Sequence, residues 1–418
     1  MSKSARLVAS VVSRWGDDPW SRGAWSLIGR HGTPTDRVSL GEPIGGRLRI
    51  AGEATHPTRA GMTHGAFEQG VAAARWAADL GHARVAVVGA GVAGLAAARE
   101  LTGRRVEAIV WEARDRIGGR ACGVEVGGFT FDLGANWLQQ YEENQLAEVA
   151  AALGLTTVAT DFTDPLVLGP PAASPAPDPD RIERELRTRL AAAADGASIA
   201  DVVEEWVRDP APYPAEAIRR LVDAEIMMDA GKPLSWLSAR YGFEPGVGEG
   251  DRWIVGSYRP LVQHLASGVE VRLRQPVDRI EVHDDAVRLK SRDATHETDA
   301  VIVTTPITVL DTLEFAPPLP AGHRAARSRL GMGRVEKVIL RFAEQFWPRH
   351  RAGYYRVHGP GTGSVSEWLD ATAADGAPTM VGLFAGPWLE SVWSGSDIEV
   401  ADHAVAILSD AVGARPGR

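Results

Sequence analysis

Apolar and polar positions follow their most regular pattern over residues 84–112, RVAVVGAGVAGLAAARELTGRRVEAIVWE. Four apolar residues at 85–88 predict a buried strand, and the glycines that follow predict a tight turn. An alanine-rich stretch to residue 101 predicts a helix, and 106–111 a second strand with Glu112 at its end. The same reading predicts further strands at 48–51, 269–273, 277–282, 300–304 and 380–385. Helical spacing marks 65–80, 144–155, 181–206, 215–229 and 397–412, while 251–266 reads as strand, glycine turn and helix. Residues 169–180, GPPAASPAPDPD, are too rich in proline for either element and predict a surface loop. Strands alternating with helices in this way predict an α/β protein.

At 418 residues the chain is long enough for two domains sharing one large interface. Its 44% hydrophobic and 24% charged residues are those of a soluble globular protein. The net charge of −9 argues against a nucleic-acid partner and mildly favours a cationic small molecule. Cys122 is the lone cysteine, so no internal disulfide can form and a reducing compartment is expected. No secretory leader is read at residue 1, and no apolar run reaches about 18 residues, so a cytoplasmic protein without membrane attachment is expected. The histidines are not clustered like metal ligands, and no serine or cysteine triad pattern occurs.

Chemistry concentrates in the glycine turn. Gly89 permits the tight turn, Gly91 lets the backbone approach a pyrophosphate, and Gly94 packs helix against strand, with the helix N-terminus facing the anion. Glu112 follows at the spacing expected for an acid that accepts hydrogen bonds from ribose hydroxyls. The pattern predicts a dinucleotide and leaves FAD and NAD both open; a purely structural glycine turn is the competing reading. Arg114, Gly118, Gly119 and Arg120 come next, before GANW at Gly134, Ala135, Asn136 and Trp137. The glycine pair lets backbone pass close to a second part of the cofactor, and Arg120 can neutralise phosphate charge.

This run resembles the flavin-containing amine oxidase family, which includes monoamine oxidases, polyamine oxidases and histone-demethylating relatives. The resemblance implies FAD as the cofactor, with the GANW segment beside the isoalloxazine ring. It implies that the backbone of Val277 holds the adenine end and that Gly52 and Glu53, in AGEAT, contact the ribityl and pyrophosphate region. Met62, Thr63 and Ala66, in GMTHGA, complete the implied cofactor-binding set. Lys337, in VEKVILRF, is implied as the lysine that holds a water against flavin N5 and assists reoxidation by oxygen. Alternation alone reads it as a lysine on a solvated strand face, shared with Val335, Ile339 and Arg341.

Trp25, in GAWS, is implied as one aromatic wall of the substrate cage, with core packing as its alternative. The opposite wall falls at Met62, where monoamine oxidases have tyrosine, so a two-aromatic cage is not expected. Members that bind FAD covalently carry a cysteine at the position of Ala24, so noncovalent FAD is expected. Glu142 and Glu143 match acids that polyamine-specific relatives carry near the substrate entrance, or form a charge pair at a helix start. Amino-acid oxidases have an arginine-bearing segment in place of GANW, so an α-amino acid substrate is disfavoured unless Arg240 or another arginine holds it.

The order of motifs departs from the family. Residues from about 5 to 80 resemble the usual last segment, and residues from Arg84 to about 413 resemble everything before it. Each motif occurs once, so the chain reads as a circular permutant joined at Gly81, His82 and Ala83, with Ala5 and Gly413 expected near each other. The expected division is an FAD-binding, Rossmann-like domain from 1–145 plus about 251–306, and a substrate domain of mixed sheet and helices from 146–250 plus about 307–413. The expected activity is oxidation of an amine C–N bond to an imine, with oxygen reduced to hydrogen peroxide. The expected partners are a small-molecule amine and oxygen, in a monomer or homodimer. A flavin desaturase, a monooxygenase or amino-acid oxidase, and a noncatalytic flavoprotein are the alternatives.

Overall fold

The computed structural model describes residues 6–160, 162, 164–169, 178–244, 250–292, 294–359, 361 and 363–413. Its centre is a five-stranded parallel sheet in the order Glu270–Arg272, Glu107–Trp111, Arg84–Val88, Ala300–Val303 and Leu48–Ile50. Both faces are buried, which is why its strands read as continuous apolar runs rather than alternating ones. Val85, Val87 and Val110 face one core with the helices Thr63–Asp79 and Val92–Gly103; Ala86, Val88 and Ile109 face another. The two helices are pressed together so closely that a Cβ on Gly70 would lie 2.1 Å from the Ala93 carbonyl oxygen.

A second, six-stranded sheet runs Leu7–Val12, Val335–Phe342, Thr379–Ala385, Val365–Asp370, Tyr354–His358 and Leu166–Leu168. Val338, Leu340 and Phe342 pack on one face with the helix Asp397–Ala411, and Ile339 and Val381 on the other. Every residue of Val335–Phe342 is buried, because strands flank it on both edges and side chains cover both faces. Lys337 is therefore not on a solvated face. Residues 7–12, expected beside the nucleotide-binding segments, pair here instead, since their apolar side chains complete the edge of this sheet.

Two expected helices differ in detail. The stretch 181–206 forms two helices, Pro179–Ala192 and Ile199–Arg208, because Ser198 caps the second with a side chain that accepts from the Asp201 N–H. The stretch 215–229 begins as the helix Ala215–Val222, widens to a π-helical turn at Asp223–Met227 and ends at Met228–Ala230. The strands Tyr354–His358 and Val365–Asp370 were not legible. Residues 170–177 of the expected proline-rich loop, and Ala5, lie outside the described residues. Leu7 and Val412 border the same apolar cluster. No helix among the described residues is long and apolar enough to cross a membrane.

Candidate active site

One cavity of about 1670 Å³ runs between the two sheets. That exceeds the several hundred Å³ typical of a small-ligand pocket, and leaves room for a dinucleotide together with a substrate. Every residue that the resemblance implies for the cofactor or for catalysis, except Gly94, lines it.

At one end the lining is backbone. Gly89 turns with φ +106°, and Gly91 starts the helix Val92–Gly103 with no side chain capping it, so the helix N-terminus opens into the cavity. A Cβ on Gly91 or Gly52 would meet nothing within 4 Å; both glycines leave open space that a ligand's backbone-hugging phosphates fit. Gly94 lies behind this surface, where a Cβ would sit 1.9 Å from the Gly89 carbonyl oxygen, so it sets the helix against the strand. Gly119 crosses Gly91, its Cβ position 3.3 Å from the Gly91 Cα. Val277 closes the same end. These features fit a dinucleotide.

The charged residues at this end are more engaged than the sequence implied. Glu112 is buried, and its two carboxylate oxygens accept from the Ala90 N–H at 2.7 Å and the Arg114 N–H at 2.8 Å, bracing the glycine loop. Arg114 donates to Asp18 at 2.6 Å and to Ser21 at 2.8 Å. Arg120 pairs with Glu53 at 3.0 Å and donates to the Ala24 carbonyl at 2.7 Å. Glu53 is buried, which opposes its ionisation, yet Arg120, Ser26 and Arg37 together hold it below the usual carboxylate range. All four residues line the cavity while their charges are already answered within the protein.

The other end is built from buried ionisable groups. Lys337 donates to the carbonyls of Gly134 at 2.5 Å and Asp132 at 3.2 Å and to Asn136 Oδ1 at 2.8 Å, with its Nζ 5.7 Å from the centre of the Trp137 ring. Burial lowers Lys337 below the ordinary lysine range, and the nearby Asp132 carboxylate resists that fall. Burial raises Asp132, against hydrogen bonds from Ser257 and the Tyr258 N–H. Ala135 and Asn136 complete this wall. Trp25 stands on it too, its indole N–H donating 2.9 Å to the Asp229 carbonyl, and Met62, Thr63 and Ala66 lie alongside. With Met62 in place there is no second aromatic opposite Trp25 at that position.

Several lining groups escaped the sequence reading. Glu336 is wholly buried and accepts from Ser13 Oγ at 2.5 Å and from the N–H groups of Trp15 and Gly16 at 2.8 Å. Glu225 and Glu367 share Arg356, at 2.8 and 3.1 Å. Asp229, Glu244 and Tyr354 also face the cavity. Nothing marks these acids in the sequence, since each stands alone in an ordinary amphipathic segment. Conversely, Glu143 pairs with Arg59 and Arg240 with Asp195, and neither these two nor Glu142 lines the cavity. No cluster of metal-binding side chains occurs among the described residues.

The family model for flavin containing amine oxidoreductases matches residues 4–77 and 92–418. Polyamine oxidase 3 of Oryza sativa subsp. japonica is 30% identical over 352 residues, spanning 77% of this chain and 72% of its own. Polyamine oxidase 2 of Arabidopsis thaliana is 29% identical over 359 residues, spanning 78% and 73%. Among solved structures, cyclohexylamine oxidase from Brevibacterium oxydans IH-35A shares the fold with a TM-score of 0.65 at 20% identity, over 79% of this chain and 81% of its own. With matches spanning both ends of the cavity, the chain belongs to the flavin-containing amine oxidoreductase family and is an FAD-dependent amine oxidase.

Proposed function

We propose that the chain holds FAD noncovalently along the glycine-lined end of the cavity and oxidises a small amine at the Lys337 end. The observation that carries this reading is the single cavity joining the two ends. Gly89, Gly91, Gly52, Gly119 and Val277 would hold the dinucleotide, and GANW would border its ring. Ala24 offers no thiol for a covalent link. Bound there, FAD supplies the two-electron acceptor for oxidation of the amine C–N bond to an imine, with oxygen the final acceptor and hydrogen peroxide the by-product. Trp25 presents an apolar face that excludes water from the reacting carbon and attracts a cation on approach. Lys337, held by three carbonyl-type oxygens, fixes a positive or strongly donating group against the site.

We also propose the circular permutation and the two-domain division set out from the sequence, with residues 7–12 moved to the substrate domain. Their support is that the family model matches two separate segments, while the relatives named above span 77–79% of the chain. The strand Leu48–Ile50 takes its place beside Ala300–Val303 in the parallel sheet. The joint is short: the helix ends at Asp79, Gly81 turns with φ +80°, and the strand begins at Arg84, with Asp299 accepting from the Ala83 and Arg84 N–H groups.

The test of function is the visible spectrum of the purified protein and its anaerobic bleaching by polyamines, aromatic monoamines and cycloalkylamines. Bleaching by one class, with peroxide on admission of air, is the expected outcome. A flavin that no amine bleaches would overturn the reading.

A further inference from the structure

Asp229 lines the cavity and, among the described residues, pairs with no cation. It follows the π-helical turn Asp223–Met227 and shares the cavity lining with Glu225. Its own backbone carbonyl takes the Trp25 indole N–H, so the carboxylate belongs to the residue that also fixes the aromatic wall. The preceding residue, Met228, packs in one cluster with Trp25, Val335 and Leu383, and Leu383 is the cross-strand partner of Lys337. Asp229 is thereby tied to the wall that carries both Trp25 and Lys337.

The neighbouring acids are all occupied. Glu225 and Glu367 bond Arg356, Glu244 bonds Arg37 at 2.6 Å, and Asp223 accepts from the Gly363 N–H at 2.6 Å. Among the described residues, no hydrogen bond or ion pair answers the Asp229 carboxylate. An enclosed carboxylate without a partner carries a desolvation cost that an arriving cation relieves.

We propose that Asp229 receives the substrate's ammonium group and takes its proton. One N–H bond of the ammonium breaks, the proton passes to a carboxylate oxygen, and the electron pair stays on nitrogen. Ammonium and carboxylate become amine and carboxylic acid, leaving the neutral amine before Trp25 in the form whose C–N bond can be oxidised. This rests on the reading of amine oxidation at the Lys337 end.

The surroundings suit the task. Burial, then the charges of Glu367, Glu244 and Glu225, raises Asp229 to about 7, so it can both accept and release a proton near neutrality. The elements packed against its segment are Asp223–Met227, with Asp223 and Glu225; Val335–Phe342, with Glu336, Lys337 and Arg341; and Val365–Asp370, with Glu367 and Asp370. Thr379–Ala385 brings no ionisable side chain. Arg356 and Arg37 are spent on the acids named above, and Asp223 and Glu225 come from the same turn.

The test is anaerobic stopped-flow reduction of the flavin in the wild-type holoenzyme and in Asp229→Asn, with cyclohexylamine and spermine as probes at saturating concentration. The wild-type rate is expected to rise through an acid limb near neutrality, apart from the amine's own ionisation at higher pH. In D229N that limb disappears and the rate falls by about 10²-fold, while the flavin absorption spectrum is unchanged. A D229N enzyme that keeps the limb and the rate overturns the proposal and leaves amine oxidation standing. Wild-type flavin that neither amine bleaches removes the reading beneath it, and the proposal falls too. Should D229N lose its flavin, the wild-type profile decides, because the absence of a limb near neutrality overturns the proposal.

Discussion

At the glycine-lined end of the cavity, Gly89, Gly91, Gly52 and Gly119 shape the site by backbone position, and the nearby charges of Glu112, Arg114 and Arg120 are bonded within the protein. At the Lys337 end, the site is shaped by side chains that would rather be in water: buried Lys337, Asp132 and Glu336 and half-buried Asp229, each shifted toward its neutral form. The first end is specified mostly by residues 89–120, joined by Gly52 and Val277 from elsewhere in the chain. The second is assembled from contacts such as Ser13 to Glu336 and Lys337 to Gly134, between residues hundreds apart in sequence. The glycine-lined end thus leans on one main stretch of chain, and the Lys337 end on several distant ones.

The comparison predicts unequal sensitivity to substitution. The largest effect is expected for Gly94→Val, whose Cβ would overlap the Gly89 carbonyl oxygen and Thr304 Oγ1, at 1.9 and 2.8 Å. A loss of about 3 kcal/mol or more in stability, with a colourless purified protein, is expected from forced separation of helix and strand. Visible absorbance and a thermal melt check it; a yellow G94V protein of wild-type stability would break the contrast at its local end.

Next in size is Lys337→Met. Flavin should stay bound, while reoxidation by oxygen slows by about 10²-fold, as when one fixed electrostatic donor is removed. Stability should respond to pH as well. Burial holds folded Lys337 below its ordinary value of 10.5, so just below that value the unfolded chain binds more protons and wild-type stability rises with pH. Melts of K337M across that alkaline window should lack the rise. Unchanged reoxidation in a flavin-loaded K337M protein would show that the buried lysine is structural only.

The smallest effect is expected from re-ordering the chain. A variant that starts at Arg84 and connects Gly413 to Arg6 through a short flexible linker should bind flavin and melt like the wild type, because Leu7 and Val412 border one cluster. Failure of that variant to take up flavin would remove the permutation.

What could be read from the chain follows the same division. The fingerprint, the strand at residues 300–304 and the cavity-lining glycines were legible because their signals, a glycine spacing and an apolar run, sit within a few residues. Lys337 was placed on its strand, but its burial was not legible, since nothing in VEKVILRF announces that Leu7–Val12 will cover its edge. Glu112 lay at the right spacing and yet spends its oxygens on the loop's own N–H groups. Asp229 and Glu336 were invisible because a buried acid and a solvated one look alike until the packing is known.

The pairing of Leu7–Val12 with Val335–Phe342 also bears on how the protein is made. Ser13 is synthesised 324 residues ahead of Lys337, whose backbone N–H it will accept. At ribosomal speeds of about 5–20 residues per second, that edge strand waits on the order of tens of seconds for its partner. Throughout that interval an apolar strand is exposed on the nascent chain, so this ordering of segments places a demand on chaperones that a chain beginning at the glycine turn would largely avoid.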